Sequence, residues 1–160
     1  MLARRLQTVV FAGVAVAVLV VHALPAHAQT ASCTIFEIKA SNDAGGLDPA
    51  LKPLKNKFKK PPFSAWKTFK LLKQHDKDIE LKKAFNLKLI TGGKLSLLYR
   101  ARNKDKDKKV RLRIRFSLDN KKGKRQTDGT VNLDSGDWAI IGGDDVDGGT
   151  YIVAFSCSAP

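Results

Sequence analysis

The stretch Val110–Leu118, VRLRIRFSL, decides the fold of this chain. Apolar side chains alternate along it with three arginines and a serine, and the side chains of a β-strand point alternately to opposite faces of a sheet. The alternation therefore predicts a strand with one face against an apolar core and the other in water. We expect Val110, Leu112, Ile114, Phe116 and Leu118 to face inward and Arg111, Arg113, Arg115 and Ser117 to face outward.

Shorter strand patterns lie on both sides of this stretch. Alternating residues surround the sequence Thr91-Gly92-Gly93-Lys94, which is typical of a hairpin turn. Thr150–Ser158 is apolar on both sides, so we predict that it is a central strand. About eight short strands predict a mainly β fold, an antiparallel β-sandwich or a small barrel with one short N-terminal helix. The other predicted strands are Thr34–Ala40, Lys67–Lys73 (with a helical turn as the alternative), Ile79–Leu81, Thr130–Leu133 and Trp138–Ile141.

The predicted helix follows the turn sequence Ser41–Gly46. Asp48 suits the N-cap and Pro49 the first helical position. Pro53 has no N–H to donate within a helix, so we expect a kink there or a helix that begins properly at Pro53. An apolar stripe is formed by Leu47, Leu51, Leu54 and Phe58.

Residues 1–28 have the pattern of a Sec-type signal peptide. Arg4 and Arg5 precede the apolar run Val9–Val21, and Ala26-His27-Ala28 fits a cleavage site. The run is shorter than the roughly 20 residues of a membrane span, although an uncleaved N-terminal anchor is the alternative. We expect a single β-rich domain over residues 29–160, periplasmic or extracellular, with no transmembrane segment after cleavage.

The chain has two cysteines, Cys33 and Cys157, near the two ends of this predicted domain. Disulfides persist in the oxidising compartments that exported proteins reach. We therefore predict that Cys33 and Cys157 pair and join the first strand to the last. A structural zinc site needs about four Cys or His ligands, so zinc is not expected. No cofactor is expected either.

The formal net charge of the full chain is +14, and removal of Arg4 and Arg5 with the leader leaves +12. A charge of this size favours an anionic partner: a glycan, a lipid head group at a membrane surface, a nucleic acid or an acidic protein. No acidic residue occurs from Ala50 to His75, and no Lys or Arg occurs after Arg125. We expect part of the basic charge to face the aspartates of this acidic tail.

Two basic sets are candidate anion-binding sites. Arg111, Arg113 and Arg115 would form a row about 7 Å apart, and guanidinium groups bind phosphate and carboxylate bidentately. The alternative is a solvated face, or a charged edge strand that blocks aggregation. The second set interleaves lysines with aromatics such as Trp66, as in single-strand nucleic-acid binders, unless those aromatics are core. Its lysines are Lys55, Lys59, Lys60, Lys67 and Lys70.

Acidic and catalytic candidates are weaker. Asp144, Asp145 and Asp147 in the stretch Gly142–Gly149 supply oxygen ligands that calcium prefers, but we favour an acidic hairpin loop. Ser156 stands where an EF-hand that starts at Asp145 would require Glu. His75 beside Asp76 is interpreted as a surface histidine in a charged turn. Glu37 and Glu80 belong to no motif.

Several stretches resemble a group of small exported bacterial β-domain proteins. They are SNDAGGLDPALKPLK (Ser41–Lys55), KPPFSAWKTFKLL (Lys60–Leu72), LDSGDW (Leu133–Trp138), IIGG (Ile140–Gly143) and the closing strand with Cys157. The resemblance implies one exported domain and adds no site.

A non-enzymatic binding module with a basic surface is the function that the sequence favours. A structural component of the cell envelope is one alternative. The other is a hydrolase whose carboxylates come together only in the fold.

Overall fold

Eight β-strands form two antiparallel four-stranded sheets in the described part of the chain. A computed structural model describes residues 29–104 and 109–159; the predicted signal peptide lies outside the described residues. The mainly β class is confirmed, in the form of a β-sandwich. The strands are β1 (Thr30–Ser41), β2 (Thr68–Glu80), β3 (Ala84–Lys88), β4 (Lys94–Lys104), β5 (Val110–Asp119), β6 (Arg125–Asp134), β7 (Trp138–Val146) and β8 (Gly149–Ser158).

The strand order is β2-β1-β8-β7 in the first sheet and β3-β4-β5-β6 in the second. β8 is an interior strand, as predicted from its apolar residues on both sides. β5 is interior as well, because β4 and β6 both pair with it. The interpretation of the arginine-bearing strand as a charged edge strand is therefore wrong.

The inner core lies between the two sheets. Leu112, Ile114 and Leu118 of β5 are buried there, and Arg113 and Arg115 are exposed on the opposite face, as the alternation predicts. The first sheet supplies alternate residues of β1 and β8, such as Ile35 and Phe155. The period-two pattern of VRLRIRFSL thus fixes which face of the second sheet is buried.

The outer face of the first sheet is buried too. Phe36, Ile38 and Ala40 share that face, and they pack with Leu51, Leu54 and Phe58 of the helical segment. β1 and β8 are therefore covered on both sides. This third layer brings the helical segment over the sandwich.

The helical segment consists of a 3₁₀ helix (Pro49–Leu54) followed by α1 (Lys55–Phe58). Asp48 caps it as predicted: its Oδ1 accepts the N–H of Ala50 at 3.0 Å. Its Oδ2 also accepts the N–H of Leu71 at 3.2 Å, which ties the helix start to β2. Pro53 lies in the 3₁₀ part, and α-helical bonding begins after it because proline has no N–H. A second 3₁₀ helix, Phe63–Ala65, leads to β2.

Two segments differ from the sequence-based expectation. β2 runs without a break from Thr68 to Glu80, although Lys67–Lys73 and Ile79–Leu81 were predicted as separate strands. As an edge strand β2 has one neighbour and much exposed surface, so its middle does not need an apolar pattern. The stretch Gly142–Gly149, expected to be an acidic loop, instead continues β7 to Val146 and starts β8 at Gly149. Pairing with β8 overrides the low strand propensity of Asp and Gly.

The predicted disulfide between Cys33 and Cys157 is present and joins the first strand to the last. The two residues lie opposite each other across β1 and β8, with their Cα atoms 4.1 Å apart. A disulfide of this kind indicates a location outside the reducing cytoplasm. Within residues 29–104 and 109–159, no helix is long and apolar enough to cross a membrane.

Removal of this disulfide should lower the stability of the fold. The cysteines are 124 residues apart in sequence, so the C33A/C157A double variant should lose about 2–5 kcal/mol of unfolding free energy. Urea denaturation with and without reductant measures this loss. Reductant should destabilise the wild type and leave the double variant unchanged; equal midpoints for all four samples would contradict the prediction.

Candidate anion-binding site

The arginine row lies on the outer face of the second sheet and is paired with the acidic tail. Arg111 Nε is 2.9 Å from Asp134 Oδ1, and an amino nitrogen of Arg115 is 3.7 Å from Asp128 Oδ2. Arg113 lies opposite Asn132 in the strand register. The expectation that basic charge faces the acidic tail is confirmed here. An anion at this row would compete with these carboxylates.

A shallow depression of about 240 Å³ adjoins the row, lined in part by Arg115 and Arg125. The Arg125 guanidinium donates a hydrogen bond to Asp119. That bond, assisted by Lys94, holds the pKa of Asp119 below its ordinary value despite the burial of the carboxyl group. The positive charge of Arg125 at this depression is therefore already paired with the carboxylate of Asp119.

A different set of predicted residues surrounds an open cleft of about 430 Å³ between the helical segment and the start of β2. Lys55 belongs to α1, Lys59 follows it, and Lys67 precedes β2. All three are exposed, and none forms an ion pair with a carboxylate of the described residues. We call this site the lysine cleft; it is lined by Lys55, Lys59, Lys67, Phe58, Phe69 and Trp66, with Leu47 and Ser64.

Stacked aromatic rings form the floor of the lysine cleft. The ring centroids of Phe58 in α1 and Phe69 in β2 are 3.9 Å apart, and both side chains are buried. Trp66 is only half-buried, with its ring centroid 6.4 Å from that of Phe63. The alternative that these aromatics are core is therefore correct for Phe58 and Phe69, whereas Trp66 packs against the same cluster and stays partly exposed.

The remaining predicted basic residues do not join the lysine cleft. Lys70 lies between Phe69 and Leu71, which pack under the helical segment, so its side chain points to the opposite face of β2. Lys60 is exposed beyond α1 and does not line the cleft. The arginine row lies on the far side of the sandwich. The basic residues thus form separate surfaces and not one patch.

The acidic candidates are dispersed. Asp144 accepts a hydrogen bond from the side-chain amide of Gln126. The backbone carbonyl of Asp147 accepts one from Lys39 Nζ at 2.7 Å, and Asp145 lines a depression beside Trp66. In the described ranges, no three His, Cys, Asp or Glu side chains gather in a way that could hold a metal ion.

Sequence reasoning missed a buried carboxylate, Glu37 of β1. Its side chain is fully buried, and its Oε1 lies 2.7 Å from His75 Nε2. Its Oε2 accepts the N–H of Ile90 at 2.8 Å and the hydroxyl of Tyr151. His75 is therefore a strand residue with a side chain only 10% exposed, and its interpretation as a surface histidine in a charged turn is wrong. A carboxylate in a strand that is apolar on both sides was the available signal.

The Glu37 cluster has the chemistry of a structural carboxylate. Both oxygens accept hydrogen bonds from donors of the protein, as a buried charge requires. The donors come from β2, β8 and the turn between β3 and β4, so one side chain links the two sheets. Burial, and then the hydrogen bond to Glu37, raise the pKa of the Tyr151 phenol well above its ordinary value.

Comparisons with known proteins do not place the chain in a family. No family model, curated protein or solved structure matched the chain. The resemblance to small exported bacterial β-domain proteins stays a prediction from the sequence stretches that carry it.

The two tyrosines provide a matched test of the Glu37 cluster. Tyr151→Phe should lower the unfolding free energy by about 1.5–3 kcal/mol, because it removes a hydrogen bond to a buried charged group. Tyr99→Phe is the control: Tyr99 is equally buried, but its hydroxyl has no hydrogen-bond partner among the described residues. Chemical denaturation of both variants measures the difference. Equal losses would show that the bond to Glu37 contributes nothing specific.

Alkaline titration should show that the folded protein protects both phenols. Burial raises the pKa of Tyr99 and of Tyr151 above the ordinary 10.0, and the chain has two tyrosines. A raised pKa means that the unfolded chain loses its phenolic protons first. Stability from this source is complete below pH 10 and falls as the pH rises further. Phenolate absorbance should therefore appear together with unfolding; phenolate formation near pH 10 in a protein with native circular dichroism would contradict this.

Proposed function

We propose that this chain is an exported, non-enzymatic binding domain whose lysine cleft holds the anionic group of a ligand. The observation that carries the proposal is the grouping of Lys55, Lys59 and Lys67 around an open aromatic cleft, with no ion-pair partner in the described chain. The positive charges of these three ammonium groups are therefore not neutralised by a carboxylate of the described residues. The arginine row, in contrast, would first have to give up its contacts with Asp128 and Asp134.

The shape of the lysine cleft supports binding physically. Like charges along a cleft with apolar walls focus the electrostatic field and raise the local concentration of anions. The buried rings of Phe58 and Phe69 close the floor of the cleft, and the half-buried Trp66 offers part of its ring to a ligand. A ligand with both an acidic group and an apolar or planar face therefore fits this site best.

The helical segment holds the cleft in a fixed shape. Phe58 stacks on Phe69, and Lys57 Nζ forms an ion pair with Asp137 Oδ1 at 2.9 Å. Burial alone would raise the pKa of Asp137, but hydrogen bonds from Lys57 and from the Trp138 N–H outweigh it and lower that pKa. The segment is thus fastened at β2 and at the turn before β7.

Export is supported by two independent features. Residues 1–28 have the signal-peptide pattern, and the Cys33–Cys157 disulfide requires an oxidising compartment to persist. The hydrolase alternative gains nothing from Glu37, because both of its carboxylate oxygens are engaged inside the protein. If the protein is instead a structural component of the cell envelope, its positive charge serves solubility. Anion binding should then depend on no individual lysine.

Binding should depend on the three lysines of the cleft and not on charge in general. The K55A/K59A/K67A variant should bind heparin and linear polyphosphate at least about tenfold more weakly and leave a heparin column at lower salt. The control K121A/K122A/K124A removes the same charge from the exposed turn between β5 and β6. Affinity measurements over a salt series compare the two variants.

The control should lose much less affinity than the cleft variant. Equal losses in both variants would contradict the proposal and favour a diffuse basic surface. Circular dichroism checks that both variants keep the fold, which is expected because all six side chains are exposed.

A further inference from the structure

A second depression lies directly beside the lysine cleft, and Trp66 lines both. It measures about 450 Å³. Its walls are the turn that follows β1 and the hairpin between β7 and β8. Trp66 is therefore a ridge between two concave surfaces, with aromatic surface available to a ligand that crosses from one to the other. The polar residues of the second depression are Ser41, Asn42, Asp43, Asp145 and Thr150.

The two depressions have opposite chemistry. The lysine cleft offers three ammonium donors, whereas the second depression offers the exposed carboxylates of Asp43 and Asp145 as acceptors. Neither carboxylate has a hydrogen-bond or ion-pair partner among the described residues. A ligand that spans Trp66 must accordingly carry an acidic group at one end and hydrogen-bond donors at the other.

The walls of the second depression are held by backbone contacts. Thr68 Oγ1 donates to the carbonyl of Asp43 at 2.6 Å and accepts from the N–H of Gly46 at 3.1 Å. Asp145 lies opposite Thr150 in the strand register. Gly149 is required there, because a β-carbon would lie 2.5 Å from the carbonyl oxygen of Ala40. The acceptors are therefore presented at defined positions.

This arrangement disfavours two of the anionic partner classes. A nucleic acid or polyphosphate carries a negative charge at every unit, so the part beyond Trp66 would meet two carboxylates. A lipid surface would require large apolar side chains at the rim. The exposed large apolar residues of the described chain are Leu72 and Ile90, which do not line either depression.

We propose that the ligand is an acidic oligosaccharide that crosses Trp66, an inference that rests on the proposed function of the lysine cleft. The carboxylate, sulfate or phosphate of one sugar binds Lys55, Lys59 and Lys67. The C–H face of a sugar ring packs on the indole of Trp66. Hydroxyl or amide N–H groups of the next sugar donate to Asp43 and Asp145, since ionised carboxylates only accept hydrogen bonds.

The test uses the full mature chain and three probes. The first is a short oligosaccharide of alternating uronic acid and N-acetylhexosamine, the second its carboxyl-reduced neutral form, and the third a linear polyphosphate of matched charge. Calorimetry gives the affinities. The variants are W66A for the ridge, D43N/D145N for the acceptors, and D76N/D78N on β2 as the control with the same charge change, because neither of these exposed carboxylates pairs with a lysine or arginine of the described residues.

The acidic oligosaccharide should bind the wild type more tightly than either other probe. W66A should weaken its binding by about tenfold, as expected for an aromatic contact at the centre of a site. D43N/D145N should weaken it several-fold and at the same time tighten polyphosphate binding, because repulsion is removed. D76N/D78N should leave the binding of both the oligosaccharide and polyphosphate nearly unchanged.

Two results would overturn the inference while leaving the lysine cleft in place: polyphosphate binding at least as tight as the oligosaccharide, or oligosaccharide binding insensitive to both W66A and D43N/D145N. If K55A/K59A/K67A binds the probes as tightly as the wild type, the proposed function itself is overturned. D43N/D145N alters only exposed side chains, so its effect on oligosaccharide binding tests the inference even if W66A fails to fold.

Discussion

The antiparallel pairing of β1 with β8, crosslinked by Cys33 and Cys157, is the first constraint on this fold. These two strands are the interior of the first sheet, and both of their faces carry apolar side chains. One face is buried by the second sheet. The other needs a separate cover, which the chain provides with the helical segment between β1 and β2. The lysine cleft exists because this cover has to cross the sheet and return to it at Phe69.

The buried Glu37 is the second constraint, and it acts across the sandwich. A carboxylate without solvent is tolerated only when its oxygens are fully hydrogen-bonded. Donors from His75, Tyr151 and the N–H of Ile90 meet that requirement and fix the β3–β4 turn against the first sheet. The interior of the sandwich is thus specified by one polar cluster as well as by apolar packing.

The sequence predicts much of this fold because strand alternation and cap chemistry are local. The two faces of Val110–Leu118, the cap at Asp48 and the interior position of β8 all follow from neighbouring residues. The continuous β2 and the strands within Gly142–Gly149 do not, since cross-strand pairing decides them. The site was predicted in part: Lys55, Lys59, Lys67 and Trp66 meet, whereas Lys70 points away. The pairing of Arg111 and Arg115 with specific aspartates, and the position of Asp43 beside Trp66 and Asp145, depend on contacts between residues distant in sequence.

The fold therefore separates two basic sets: Arg111 and Arg115 pair with aspartates, whereas Lys55, Lys59 and Lys67 have no ion-pair partner among the described residues. Chemical-shift mapping on the ¹⁵N-labelled mature protein during titration with an acidic oligosaccharide tests this division most directly. We expect shifts at the amides of Lys59 and Lys67 and at the indole N–H of Trp66, with the amides of Arg111 to Arg115 unmoved. Shifts that concentrate on the arginine row, or that spread evenly over all basic surfaces, would contradict it.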